Sequence, residues 1–158
     1  MKIIDNFLSK EEFAEFKNLI LDIEFPWFFA PTVADPNDFS DSYFIHTFYN
    51  NFTVNSSFFP LLQPILKKLE AKALIRCRIL RYVGREKLVE HNKHTDFDFS
   101  HNACILYLNT NDGFTRLHDN SCVQSVENRA LISDGSLEHN SSNCTNADFR
   151  LVLTINYF

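Results

Sequence analysis

Apolar residues follow a helical period at one place near the start of this chain and a strand period through most of its second half. After a short apolar opening at residues 2–7 (KIIDNF), Ser9 and Glu12 stand three apart, ahead of Phe13, Phe16, Ile20 and Ile23 at helical spacing. That Ser-x-x-Glu arrangement is a capping box, with Leu8 and Phe13 as its flanking hydrophobic staple. It predicts a helix over about residues 10–23 with one buried face. From Phe25 to Tyr49 an aromatic run (FPWFFA), polar turn material (DPNDFSDS) and a second run (YFIHTFY) read as two strands joined by a long loop, a candidate lid within residues 26–57. A second helix is expected from Ser56 or Ser57, with Pro60 in its first turn and Leu62, Ile65, Leu66 and Leu69 on one side. Pro64, which has no N–H, should bend or delay it.

After Ala73 nearly everything is strand separated by Gly, Asn, Asp and Ser turns. The runs are LIRCRILRY (74–82), a segment near His94, NACILYLN (102–109), a short run after Gly113, CVQSVE (122–127), RALIS (129–133) and FRLVLTINYF (149–158). Short strands at this spacing point to an all-β sandwich or barrel. The last run separates two faces: Arg150, Val152, Thr154 and Asn156 on one, Phe149, Leu151, Leu153, Ile155 and Tyr157 on the other. The polar face is either the wall of a polar pocket or the outer side of an edge strand.

Composition narrows the function classes. With 158 residues, no repeat and no linker, the chain reads as one domain, with helical and strand support over about 1–72 and a β core over about 73–158. A formal charge of -5 disfavours a phosphate backbone as main partner, since counterion release needs clustered Lys and Arg. No apolar run approaches the length of a membrane span. Cys77, Cys104, Cys122 and Cys144 form no CxxC, and the start MKIIDNFLSK resembles no signal, so reduced thiols and a cytoplasmic location are expected. Oligomeric state is open.

The chemistry-bearing stretch is EHNKHTDFDF. In a strand, His94 and Asp96 project from one face and can meet one ion, with His139, just after the RALIS strand, as third ligand. Two His and one carboxylate on one face of an octahedral metal leave open positions for a chelating co-substrate and dioxygen, the pattern of non-haem Fe(II) oxygenases. His-x-Asp alone is weak, with about 0.4 such pairs expected by chance in a chain of this make-up. Arg150, which offers a bidentate charge-assisted pair to a dicarboxylate, adds weight. Other readings stand beside this one. His91 with His94 could be a helical zinc pair, Asp98 is a reserve ligand, and His46, His101 and His118 read as structural. Arg76 and Arg78 are either substrate contacts or stems laid over the sheet edge. Trp27, Phe28, Phe39, Tyr43 and Phe44 could line an aromatic cleft suited to a prolyl residue, or be core and lid packing.

Taken together, LRYVGREKLVEHNKHTDF, ILYLNTNDGFT, ENRALISDGSLEH and FRLVLTINYF resemble the iron(II)- and 2-oxoglutarate-dependent dioxygenases, most closely their prolyl 4-hydroxylase-like branch, over roughly residues 73–158. The resemblance implies a double-stranded β-helix, or jelly roll, with helices packed outside. It implies that His94, Asp96 and His139 bind Fe(II), that Arg150 pairs with the distal carboxylate of 2-oxoglutarate, and that Tyr107 hydrogen-bonds the same carboxylate. Tyr82 would line the co-substrate pocket, with Thr154 as a further contact. The implied reaction consumes O2 and 2-oxoglutarate, releases succinate and CO2, and hydroxylates a peptide or small-molecule substrate. Asp112-Gly113 departs from the Gly-Gly often found in the central hairpin. The competing class is a non-catalytic jelly-roll module that binds a ligand or a partner protein.

Overall fold

The computed structural model describes all 158 residues. Its first regular element after strand β1 (Lys2–Ile4) is helix α1 (Lys10–Leu21), and the capping box forms as expected. Ser9 Oγ accepts from the Glu12 N–H at 3.2 Å, and the Glu12 carboxylate accepts from the Ser9 N–H at 3.1 Å. Phe13, Phe16 and Ile20 form the buried stripe. Ile23, expected to continue it, is 95% exposed, because Asp22 is already extended and ends the helix.

Strands β2 (Phe28–Ala30) and β3 (Tyr43–Asn50) pair antiparallel across the long loop, and β4 (Thr53–Val54) folds back on β3. The second helix is delayed, as two prolines require. A 3-10 turn over Phe59–Leu62 holds Pro60, and α2 runs only over Gln63–Lys68 with Pro64 in its first turn. Then come β5 (Leu74–Val83), β6 (Asn102–Tyr107), β7 (Phe114–Leu117), β8 (Cys122–Gln124), β9 (Arg129–Asp134), β10 (His139–Ser141) and β11 (Phe149–Tyr157).

All pairings are antiparallel. The major sheet runs β1-β9-β6-β11-β5-β3-β2, with β4 beside β3; the minor sheet runs β10-β7-β8. The two sheets close over each other as a jelly roll. The chain's last strand, β11, is no edge strand, since it lies between β5 and β6. Each face of the major sheet therefore has its own core. Outside, Leu151, Leu153, Ile155 and Tyr157 join Phe13, Phe16 and Ile20 of α1 and Leu62 and Ile65 near α2. Inside the roll, Val152 joins Leu80, Tyr82, Tyr107, Leu117, Val123 and Leu131, with Val33 of the long loop closing one side.

Two expectations need correction. His94 lies on no ladder: the backbone of residues 84–101 pairs beside the minor sheet only in isolated bridges, Glu90 with Ser142 and His94 with His139. Between them the Asn140 amide donates to the His91 carbonyl and to the Glu90 carboxylate, both at 2.9 Å, so a side chain replaces the missing rungs. Arg76 and Arg78 do not lie over the sheet edge. They pair across from Asn156 and Thr154 and project, with Leu80 and Tyr82, into the roll. No helix is long and apolar enough to cross a membrane, and all four cysteines are unpaired.

Candidate metal centre and anion pocket

The bridge between His94 and His139 sets the geometry of the site. Each backbone N–H donates to the other's carbonyl at 2.9 Å, which holds the imidazoles side by side with ring centroids 4.7 Å apart. His94 Nδ1 lies 3.3 Å from the Asn92 carbonyl and His139 Nδ1 3.0 Å from the Leu137 carbonyl. A carbonyl only accepts, so both protons sit on Nδ1 and both Nε2 lone pairs are free to bind a cation. Asp96 completes the group, with one donor atom from each of His94, Asp96 and His139 within 4.8 Å of the others. Burial and the neighbouring His139 push the His94 imidazole below its ordinary pKa, favouring the neutral form that ligates metals.

Asp96 is held by elements remote in sequence. Arg76 Nη2 donates to one carboxylate oxygen, and Asn156 Nδ2 donates to the other at 2.8 Å. The same amide group reaches His101 Nε2 at 3.1 Å, while Asn156 Oδ1 accepts from Arg76 Nε at 3.3 Å. Burial alone would raise the Asp96 carboxyl, but the Arg76 charge and the Asn156 hydrogen bond hold it below the ordinary value, so it stays ionised. His101 is itself fixed by the Phe99 carbonyl at 2.8 Å and packs so closely on Gly135 that a Cβ there would lie 2.2 Å from His101 Nε2. This supporting shell of Arg76, Asn156 and His101 escaped the sequence reading of the site. The alternation in β5 and β11 signals Arg76 and Asn156, and nothing comparable signals His101.

Behind the triad stands Arg150, 1% exposed. Its guanidinium donates to Ser125 Oγ (2.7 Å), Thr115 Oγ1 (3.2 Å) and the Ser142 carbonyl (3.2 Å), and lies 5.5 and 5.6 Å from the Tyr82 and Tyr107 ring centres. None of these partners is a carboxylate, and no salt bridge involves Arg150. Burial lowers its pKa, but an arginine keeps its proton, so the roll carries a desolvated cation. Gly113 makes room for it, because a Cβ there would meet Arg150 Cδ at 2.5 Å and the Asn143 carbonyl oxygen at 2.4 Å. Asp112, at the departure from the Gly-Gly pattern, accepts from the Thr145 N–H at 2.8 Å and ties the hairpin to the turn before β11.

One cavity joins these parts: His94, Asp96, His139, Arg150, Tyr82 and Thr154 all line it, with Arg78 and Ser141. Tyr107 does not reach it. The ring is fully buried behind Arg150 and the hydroxyl donates to Thr115 Oγ1 at 2.9 Å, so it supports the guanidinium from the far side. Tyr82 stacks between Tyr43 (5.5 Å) and His91 (5.1 Å), and its hydroxyl meets Ser141 Oγ at 3.3 Å. Thr154 Oγ1 donates to the Arg78 carbonyl at 3.2 Å.

The other readings sort cleanly. His91 is no partner of His94: its ring nitrogens meet Ser141 Oγ at 2.9 Å and Asp41 Oδ2 at 3.0 Å. Asp98 and His118 are exposed, while His46 is buried between the Pro26 carbonyl and Ser56. The aromatic set is scattered. Tyr43 reaches Tyr82 and Trp27 packs on Phe25, but Phe28 and Phe39 are exposed and Phe44 meets Phe29.

No protein-family sequence profile and no curated protein sequence matches this chain. Solved structures do match in fold. An oxidoreductase of the 2OG-Fe(II) oxygenase family from Burkholderia pseudomallei superposes with a TM-score of 0.70 at 12% identity, over 98% of this chain and 83% of that one. A Trichoplax adhaerens prolyl hydroxylase, in complex with a hypoxia inducible factor peptide fragment, gives 0.70 at 14% identity over 99% and 82%. HygX from Streptomyces hygroscopicus, with nickel and 2-oxoglutarate bound, gives 0.65 at 12% over 98% and 81%. The chain thus has the jelly-roll fold of the 2-oxoglutarate oxygenases. At these identities the likeness concerns fold, and the reading of function rests on the site.

Proposed function

We propose that this chain is a 2-oxoglutarate-dependent Fe(II) dioxygenase that hydroxylates an aliphatic C–H bond of a prolyl or other amino-acid residue, releasing succinate and CO2. The observation that carries the reading is a buried Arg150 with no carboxylate partner in the protein, lining the same cavity as two Nε2 lone pairs and an ionised carboxylate. A dicarboxylate 2-oxo acid satisfies both ends of that cavity. The donor set suits Fe(II), since imidazole and carboxylate form the facial triad of non-haem iron oxygenases.

His94, Asp96 and His139 would hold the metal, which supplies, with O2 and the oxo acid, the oxidising power for C–H cleavage. Arg150 binds the distal carboxylate in a water-poor setting, where a charge-assisted pair is strong. Tyr107 and Thr115 keep the guanidinium aimed, while Tyr82 and Thr154 wall the space between it and the triad. Asp96 would supply the metal with a carboxylate ligand, which would favour hydroxylation over halogenation as the outcome. A peptide or small-molecule substrate is favoured over nucleic acid by the net charge of -5. The four free thiols agree with a reducing, cytoplasmic setting.

The test is anaerobic reconstitution with Fe(II), addition of 2-oxoglutarate and oxygen, and quantification of succinate. Formation of succinate that Asp96→Ala abolishes supports the reading. No succinate across peptides and free amino acids, together with undiminished iron retention in Asp96→Ala, overturns it.

A further inference from the structure

Three arginines of the major sheet point into the roll, and two of them are engaged. Arg76 pairs with Asp96 and Asn156, and Arg150 makes three hydrogen bonds. Arg78 has neither a salt bridge nor a side-chain hydrogen bond, and its Nε is buried with no partner at all. It nevertheless lines the cavity with His94, Asp96 and Thr154, and its charge acts on Asp96, His94 and Tyr82 alike. A guanidinium donor buried without a partner is destabilising, so a position facing a cavity points to a ligand that supplies an acceptor.

Arg78 is placed by the register of β5. It pairs with Thr154 of β11 on one side and Thr47 of β3 on the other, and those short neighbours leave its side chain free of competing acceptors. Arg81, one face over, is instead spent on the outside, where its guanidinium covers the Phe149 ring at 4.3 Å. Across the interior, three guanidiniums face one carboxylate, Asp96. A dicarboxylate held between Arg150 and the metal centre uses both of its charges there, which leaves Arg78 unmatched.

We infer that Arg78 binds an anionic group of the substrate itself, so that the molecule oxidised presents a free carboxylate: a free amino acid or a chain-terminal residue rather than an internal one. The inference rests on the proposed co-substrate reading and narrows its substrate class. The shared chemistry is a carboxylate on Arg78. Its two sources, the oxo acid and the substrate, are separable.

The experiment uses the full chain loaded with Zn(II), which binds without turnover, and calorimetry as readout. In the first arm 2-oxoglutarate is titrated into parent, Arg78→Gln and Arg150→Gln. In the second arm, with 2-oxoglutarate saturating, acetate, L-proline and N-acetylglycine are titrated beside their amides. The expected results are 2-oxoglutarate affinity unchanged in Arg78→Gln but lost in Arg150→Gln, and acids preferred over amides by about ten-fold or more. That preference should vanish in Arg78→Gln and survive in Arg78→Lys. A ten-fold loss of 2-oxoglutarate affinity in Arg78→Gln overturns the inference by assigning Arg78 to the oxo acid. Acids and amides that bind equally, or not at all, also overturn it. Repeating the second arm without 2-oxoglutarate separates the two readings: an Arg78-dependent acid preference in a protein that does not bind 2-oxoglutarate keeps the anion site and removes the co-substrate assignment.

Discussion

The two faces of β11 serve opposite ends. Outward, Leu151, Leu153 and Ile155 are fully buried against α1 and α2, in a core that any sheet-and-helix protein of this size would need. Inward, at alternate positions of the same nine residues, Arg150, Thr154 and Asn156 hold a buried cation, a cavity wall and the amide that orients Asp96. The outer face lowers the free energy of the fold by removing apolar surface from water. The inner face carries desolvated polar groups whose full set of partners includes what enters the cavity. Stability and binding should therefore separate by residue parity along a single strand.

The largest separation is expected at the triad. Asp96→Ala removes the only anionic donor of the three and leaves Arg76 without its carboxylate partner. Metal retention after anaerobic desalting should fall to background, while circular dichroism stays that of a folded β protein. Full metal retention in this variant would sink the assignment of Asp96.

Next comes a crossed pair, Arg150→Met against Leu153→Ala. Arg150→Met should weaken 2-oxoglutarate binding by about 2–5 kcal/mol, because the partner carboxylate is left buried and unpaired. Leu153→Ala should cost about 2–5 kcal/mol of unfolding free energy through the cavity it opens, with 2-oxoglutarate affinity close to the parent's. Calorimetric titration and denaturant unfolding of both variants complete the cross. Equal effects of both substitutions on both measurements would show that the faces are not independent.

Much of this division was legible in the chain. The capping box at Ser9, the alternation in FRLVLTINYF and the order His94, Asp96, His139, Arg150 are local patterns, and local patterns are what a sequence displays. Sheet order is not among them. Arg76 and Arg78 alternate with apolar residues just as Arg150 does, but whether that face turns inward depends on β5 lying between β11 and β3, a pairing between segments about 70 residues apart on one side and 30 on the other. The spacing of His94 and Asp96 fits one face of a strand, but whether a ladder or an isolated bridge holds such a segment depends on its partner, here only His139. The role of Tyr107 is implied by the resemblance alone, and its depth behind Arg150 is set by packing, which no local pattern displays.

A smaller effect is expected where the long loop meets the roll. Asp41 accepts from His91 at 3.0 Å, Arg85 lies 3.3 Å away, and His91 in turn holds Ser141, which lines the cavity. Burial alone would raise the Asp41 carboxyl, yet the His91 hydrogen bond and the Ser42 N–H keep it below its ordinary value. A carboxyl depressed in the folded state adds stability above its unfolded pKa of about 3.9, and that stability is lost as pH falls through the folded value. Asp41→Asn should thus cost about 1–3 kcal/mol at neutral pH, with the gap to the parent narrowing below about pH 4. A gap that widens on acidification would contradict the sign of the shift.

The smallest effect tests the outer core against the surface of the minor sheet through the accessibility of their thiols. Cys77 and Cys104 lie in the outer cluster, fully buried, and burial pushes each thiol up to about 12. Cys122, on the short edge strand β8, is exposed. Alkylation requires thiolate and access, both of which the outer core denies. Mass spectrometry after brief treatment with iodoacetamide at neutral pH should therefore find one fast label, at Cys122, with Cys77 and Cys104 modified only as the protein unfolds. In Leu153→Ala their labelling should rise in step with the lost stability, whereas in Arg150→Met it should stay at the parent's rate. Faster labelling of Cys77 in Arg150→Met would mean that the inner face supports the outer one, and the division along β11 would have to be given up.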